Sequence, residues 1–151
     1  MAVDTGVDIA LVNNMPDAAL DATERQFRGL LDAAADGLPV RLTLYTLPEV
    51  PRTDFGRKVV SRYASLDDLW SRHHDGVIVT GTEPLAAELD DEPFWGSLTR
   101  VLDWAEQHTH SIQIVGSAGH NVACTRTLVV RVGKSFQMQE QIIAQIEFNL
   151  A

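Results

Sequence analysis

At 151 residues with 45% apolar content, the chain is long enough for one domain with a proper core and too short for two ordinary ones. Its formal charge of -9 argues against a nucleic-acid partner, because such binding draws on lysines and arginines that displace phosphate counterions. No apolar run approaches the roughly 20 residues of a membrane span, and Met1-Ala-Val-Asp4 lacks the basic start of a signal peptide, so a cytoplasmic protein is expected.

Val7-Asp-Ile-Ala-Leu-Val12 is a short apolar run ending in Asn13-Asn-Met-Pro16, the pattern of a buried strand followed by a loop. Asp17 is placed to cap the next helix, in which Leu20, Phe27, Leu30, Leu31 and Ala34 recur at helical spacing and Gly37 supplies the stop. Val40-Arg-Leu-Thr-Leu-Tyr45 alternates apolar and polar residues as a second strand, and Pro48 and Pro51 imply an exposed loop after it. Ser65-Leu-Asp-Asp68 has the form of a capping box and opens a short helix ending near His73-His74, where both histidines are expected to be solvated.

Gly76-Val-Ile-Val79 is a third buried strand that runs into a Thr80-Gly81-Thr82 turn. Pro93 is placed to begin a helix with Phe94, Leu98, Val101, Leu102 and Ala105 on one face. Trp70, Trp95 and Trp104 occupy helix positions that favour packing. Ser111-Ile-Gln-Ile-Val115 is a fourth strand, and strands alternating with helices in this way imply parallel pairing with function at the carboxyl ends. Beyond it, Leu128-Val-Val-Arg-Val132 reads as a further strand and residues 137–149 as a last helix. Gly116-Ser117-Ala118-Gly119 falls where the fourth strand should meet a helix, either as a plain tight turn or as a place that presents a nucleophile.

Composition shifts at Ser111. Residues 1–110 hold 9 Lys/Arg and 19 Asp/Glu, while residues 111–151 hold 3 and 2. A single domain over 1–151 is therefore read as a segment 1–110 followed by a divergent tail, 111–151. The one cysteine, Cys124, has no disulfide partner and is read as a small buried apolar residue, and no Cys/His cluster has metal-ligand spacing, so no metal site is expected.

Three segments together resemble the homoserine O-acyltransferases of methionine biosynthesis: Leu11-Val-Asn-Asn-Met-Pro16 with Thr23-Glu-Arg-Gln-Phe27, Asp75-Gly-Val-Ile-Val-Thr-Gly81 with Glu83-Pro84 and Glu92-Pro-Phe-Trp95, and Val101-Leu-Asp-Trp-Ala-Glu106. The resemblance covers about residues 7–112. It implies an α/β, flavodoxin-like or class I glutamine-amidotransferase-like three-layer sandwich with a parallel sheet, complete or truncated. It also implies acyl transfer from succinyl-CoA or acetyl-CoA to the homoserine hydroxyl, with acyl-CoA as co-substrate and no resident cofactor. A truncated sheet would leave edges and apolar surface open, which favours a homodimer.

In that family a cysteine on the turn after the fourth strand takes the acyl group, near a helix amino terminus that favours thiolate. The resemblance places oxyanion donors at Gly81, Thr82 and Gly116, each such amide contributing about 3 kcal/mol to the transition state. The family's Trp-Ser-Cys-Leu-Ala-Ala-His is replaced here by Ile114-Val-Gly-Ser-Ala-Gly-His120. Matching the histidine puts Gly116 at the nucleophile position. Matching the amidotransferase pattern Cys-x-Gly-His-Gln puts Ser117 there, with His120 behind it. A lysine expected after Met-Pro is also replaced, by Asp17. The chain is thus read either as a family member without its covalent step, or as a non-catalytic, amidotransferase-like binding or interaction domain from a truncated or spliced reading frame.

Overall fold

The computed structural model describes residues 6–82 and 85–115. Among these residues four strands, β1 (Val7–Val12), β2 (Val40–Tyr45), β3 (Gly76–Thr80) and β4 (Ser111–Val115), form one sheet in the order β2-β1-β3-β4. Every pairing is parallel, with Val12 opposite Tyr45, Val12 opposite Val79, and Thr80 opposite Val115. This is the flavodoxin-like order, in which the chain first moves one way from β1 and then crosses back over it to β3.

Among the described residues four α-helices connect the strands: α1 (Leu20–Ala35), α2 (Asp54–Val60), α3 (Leu66–Ser71) and α4 (Trp95–His108). The pleat sorts the core into two layers. Ile9, Leu11 and Ile78 face α1 with Phe27 and Leu31, whereas Ala10, Val12, Val77, Val79 and Ile112 face α3 and α4 with Leu69, Leu98, Val101 and Ala105. Right-handed crossovers that travel in opposite directions along a sheet must lie on opposite faces, so α1 and α4 sandwich the strands between them. Each fully buried Leu, Val or Phe in these layers contributes about 1.5–3 kcal/mol.

Local signals set the ends of the helices. Ser65 and Asp68 form the expected capping box, with Asp68 N–H donating to Ser65 Oγ at 3.3 Å and Ser65 N–H donating to Asp68 Oδ2 at 3.4 Å. Helix α1 ends in two successive left-handed residues, Asp36 (φ 48°) and Gly37 (φ 85°), of which the glycine carries no Cβ penalty.

Four expectations are corrected. Asp17 does not cap α1: it opens a single 3-10 turn, Asp17–Ala19, and α1 starts at Leu20 behind Ala19 with no side-chain cap. The segment after β2 is not an exposed loop, because Leu47 and Val50 are buried in the core and Asp54–Val60 is a helix. Helix α4 starts at Trp95 rather than Pro93. His74 is not solvated but buried, its Nε2 2.9 Å from Tyr45 Oη and its ring edge-on to Trp104, because α3 ends at Ser71 and the chain then turns inward to start β3. His73 does face solvent, 3.1 Å from Asp75. The three tryptophans pack half-buried against the α3/α4 layer. The expected strand 128–132 and helix 137–149, with Cys124, lie outside the described residues.

Candidate functional site at the carboxyl edge of the sheet

In a sheet of this order the crevice lies where the connections diverge, at the carboxyl ends of β1 and β3. The loop after β1 is Asn13-Asn14-Met15-Pro16. Pro16 biases Met15 towards extended backbone and prevents continuation of the strand. Both asparagines are buried, so each amide must find partners inside the protein.

Asn13 donates its backbone N–H to Tyr45 O at 2.8 Å, and its Nδ2 to Leu20 O and Tyr63 Oη, each at 3.2 Å. Its Oδ1 accepts Met15 N–H at 3.3 Å, an Asx turn that folds the loop back. Burial pushes the Tyr63 hydroxyl above its ordinary pKa, although the Asn13 hydrogen bond opposes that. Asn14 reaches two other loops. Its Oδ1 accepts Leu47 N–H at 2.9 Å, in the loop after β2, and its backbone N–H donates to Thr80 Oγ1 at 2.8 Å, at the end of β3.

Arg52 closes the same edge from the β2 side. Its side chain is only 6% exposed. Nη1 donates to Met15 O and, at 3.2 Å, to Asp17 Oδ1, while Nη2 donates to Asn13 O at 3.3 Å and Thr46 Oγ1 at 3.0 Å. The guanidinium fork therefore neutralises one carboxylate and holds two carbonyls of the Asn-Asn-Met-Pro loop at once. Asp17 Oδ2 accepts Thr53 N–H at 2.8 Å and Thr53 Oγ1–H at 2.6 Å, at the amino terminus of α2. Burial alone would raise the Asp17 carboxyl, but the Thr53 and Arg52 hydrogen bonds and the Arg52 charge hold it below the usual carboxylate value. Asp17 thus caps a helix 36 residues downstream of itself, which no local pattern announces.

After β3, Gly81 and Thr82 follow Thr80 directly and are half-buried. Glu92 then folds under this connection: it is buried, and its Oε1 accepts the N–H groups of Leu85 and Ala86 at 2.8 Å and 2.9 Å. Of the site residues read from the sequence, Gly81 and Thr82 lie at this edge, and β4 ends beside Thr80 through its pairing with Val115. Gly116, Ser117 and His120 lie outside the described residues. Sequence reasoning missed Arg52 altogether and took Glu92 only as part of a helix start. Neither has a local signal, since Arg52 acts on loop carbonyls and side chains, and Glu92 on backbone N–H groups, that the fold brings to them. Among the described residues no group of three His, Cys, Asp or Glu side chains is placed to hold a metal ion, and no helix is long and apolar enough to cross a membrane.

The family model described as homoserine O-succinyltransferase matches residues 5–136, further along the chain than the motifs themselves reach. Proteins named homoserine O-succinyltransferase are 48% identical over 106 residues in Rhodopseudomonas palustris, 44% over 103 residues in Bradyrhizobium japonicum and 40% over 113 residues in Cardiobacterium hominis. These alignments cover 70%, 67% and 74% of this chain, and 32% of each relative. The chain thus spans about a third of the length of the curated relatives it matches. With the parallel sheet and its Asn-Asn-Met-Pro edge, these matches establish that the chain belongs to the homoserine O-succinyltransferase family.

Proposed function

We propose that this chain carries part of the acyl and homoserine site of a homoserine O-succinyltransferase of methionine biosynthesis, at the carboxyl edge of β1 and β3, and does so without the family's covalent step. The observation that carries the reading is the junction of the Asn-Asn-Met-Pro loop with the Thr80-Gly81-Thr82 turn through the 2.8 Å bond from Asn14 N–H to Thr80 Oγ1. It brings both family motifs to the topological switch point of the sheet. Succinyl-CoA is the preferred donor, in keeping with the names of the relatives, and acetyl-CoA is the alternative to test. A cytoplasmic location and self-association as a homodimer belong to the same reading.

The missing covalent step follows from chemistry. A glycine at 116 has no nucleophile. A serine at 117 attacks a thioester only when a base takes its proton, and His120 is the one histidine near it in sequence. Oxyanion donors at Gly81 and Thr82 stabilise charge but cannot supply the attacking group.

The test combines binding with turnover. Succinyl-CoA should shift the amide resonances of Gly81 and Thr82, while incubation with homoserine releases no CoA above background and intact mass shows no adduct on Ser117 or Cys124. Absence of any succinyl-CoA binding would remove the site reading. A Ser117 adduct that vanishes in Ser117→Ala would restore the covalent step, and a second reading, a purely structural domain, would then be excluded as well.

A further inference from the structure

The Thr80 hydroxyl occupies a position that chemistry makes directional. It is buried, 5% exposed, at the last residue of β3. A hydroxyl has one proton to give and lone pairs to receive. Here it receives the Asn14 N–H at 2.8 Å and gives its proton to Gly81 O at 3.1 Å. Asn14 cannot yield, because its own Oδ1 is committed to Leu47 N–H at 2.9 Å and to the Thr46 hydroxyl at 3.4 Å. The direction of the Thr80 hydroxyl proton is therefore set by the β1 loop.

The consequence passes through one peptide plane. Gly81 C=O and Thr82 N–H belong to the same planar peptide unit, and no peptide bond among the described residues is cis. In a trans peptide the two point in opposite directions. With Gly81 O turned towards the Thr80 hydroxyl, Thr82 N–H is turned away from the junction of the loops. Among the described residues no acceptor takes that N–H.

We propose that Thr80 is a positioning residue: its hydroxyl, oriented by Asn14, locks the Gly81–Thr82 peptide so that Thr82 N–H is presented as a hydrogen-bond donor to an anionic oxygen. Under the acyl-site reading above, on which the ligand class rests, that oxygen is the thioester carbonyl of an acyl-CoA as negative charge develops on it. Preorganisation of this kind matters because a donor that needs no reorientation stabilises the charge most. The hydroxyl itself never touches the ligand, so its removal acts only through the peptide it holds.

The experiment is amide NMR on the whole chain, comparing wild type with Thr80→Val, which keeps the shape and loses the hydroxyl, and Thr80→Ser, which keeps the hydroxyl. In Thr80→Val, Asn14 N–H should exchange on the order of tenfold faster, the factor expected when one hydrogen bond is lost. The Thr82 amide should shift in Thr80→Val and return in Thr80→Ser, while amides of α3 and α4 keep their wild-type protection. Faster exchange spread evenly over the sheet, or a Thr82 resonance indifferent to Thr80→Val, would overturn the proposal. If Thr80→Val does not fold, Thr80→Ser decides: a folded Thr80→Ser with a displaced Thr82 amide refutes the hydroxyl's role, and a native one supports it. Titration with succinyl-CoA separates the two readings. A Thr82 amide that depends on Thr80 but ignores succinyl-CoA keeps the positioning role and removes the acyl-site assignment.

Discussion

Replacing Gly56 by alanine should destabilise this protein, against the usual sign for a helix. Ala is favoured over Gly inside a helix by about 1 kcal/mol. At position 56, however, a Cβ would lie 2.0 Å from Asp17 Oδ1, 2.2 Å from its Cγ and 2.5 Å from Oδ2. The carboxylate cannot simply swing aside, because Thr53 N–H and Oγ1 hold one oxygen at 2.8 Å and 2.6 Å, and Arg52 holds the other at 3.2 Å. Moving it removes the cap of α2, about 1 kcal/mol or more, and weakens a charged hydrogen bond to a buried guanidinium, about 1.5 kcal/mol or more. Subtracting the propensity gain leaves a loss of about 1.5 kcal/mol. In an Asp17→Ala background the obstruction is gone and the same substitution should stabilise by about 1 kcal/mol, a coupling of about 2.5 kcal/mol. Urea unfolding followed by tryptophan fluorescence on the four chains of this cycle measures both terms, with an unchanged slope confirming the same two states. A stabilising Gly56→Ala in the wild-type background would refute the reasoning.

Two further outcomes follow from buried charge. Burial holds the His74 imidazole below its ordinary value of 6.5, with Arg72 and His73 acting the same way and Asp8 and Asp75 opposing. The folded state therefore prefers neutral His74. The associated stability is complete above pH 6.5 and is lost as pH falls through that value towards the lower folded pKa, with a slope of at most about 1.4 kcal/mol per pH unit. His74→Gln, which keeps a partner for Tyr45, should flatten the slope between pH 7 and 5.5 in urea midpoints, and an unchanged slope would assign it to other groups. Arg52→Met should cost about 3 kcal/mol, since it strips a buried pair and leaves two loop carbonyls without their donor. Arg52→Lys should recover less than half of this in the same assay, because a single ammonium cannot reproduce the fork, and full recovery would show that charge alone matters.

Much of this protein was determined by the sequence alone. The four strands are short apolar or alternating runs whose pairing partners all lie in the same sheet, and the capping box at Ser65 is a contact between residues three apart, so period and local chemistry suffice to find them. The family was legible for a similar reason, since its motifs are contiguous segments around Asn13, Gly81 and Trp95. What the tertiary structure alone decided is the set of contacts between loops far apart in the chain. Asp17 reads locally as the cap of α1 and becomes the cap of α2, because the loop after β2 folds back over the edge and offers it a better-placed pair of donors. His74 reads as the solvated end of α3 and is carried into the core by the entry into β3, where Tyr45 meets it from 29 residues away. Arg52 carries no motif of its own, and the motifs that contain Asn14 and Thr80 give no sign that the two meet. Their roles exist only because parallel pairing brings the carboxyl ends of β1, β2 and β3 together, where buried polar groups must satisfy one another in the absence of water.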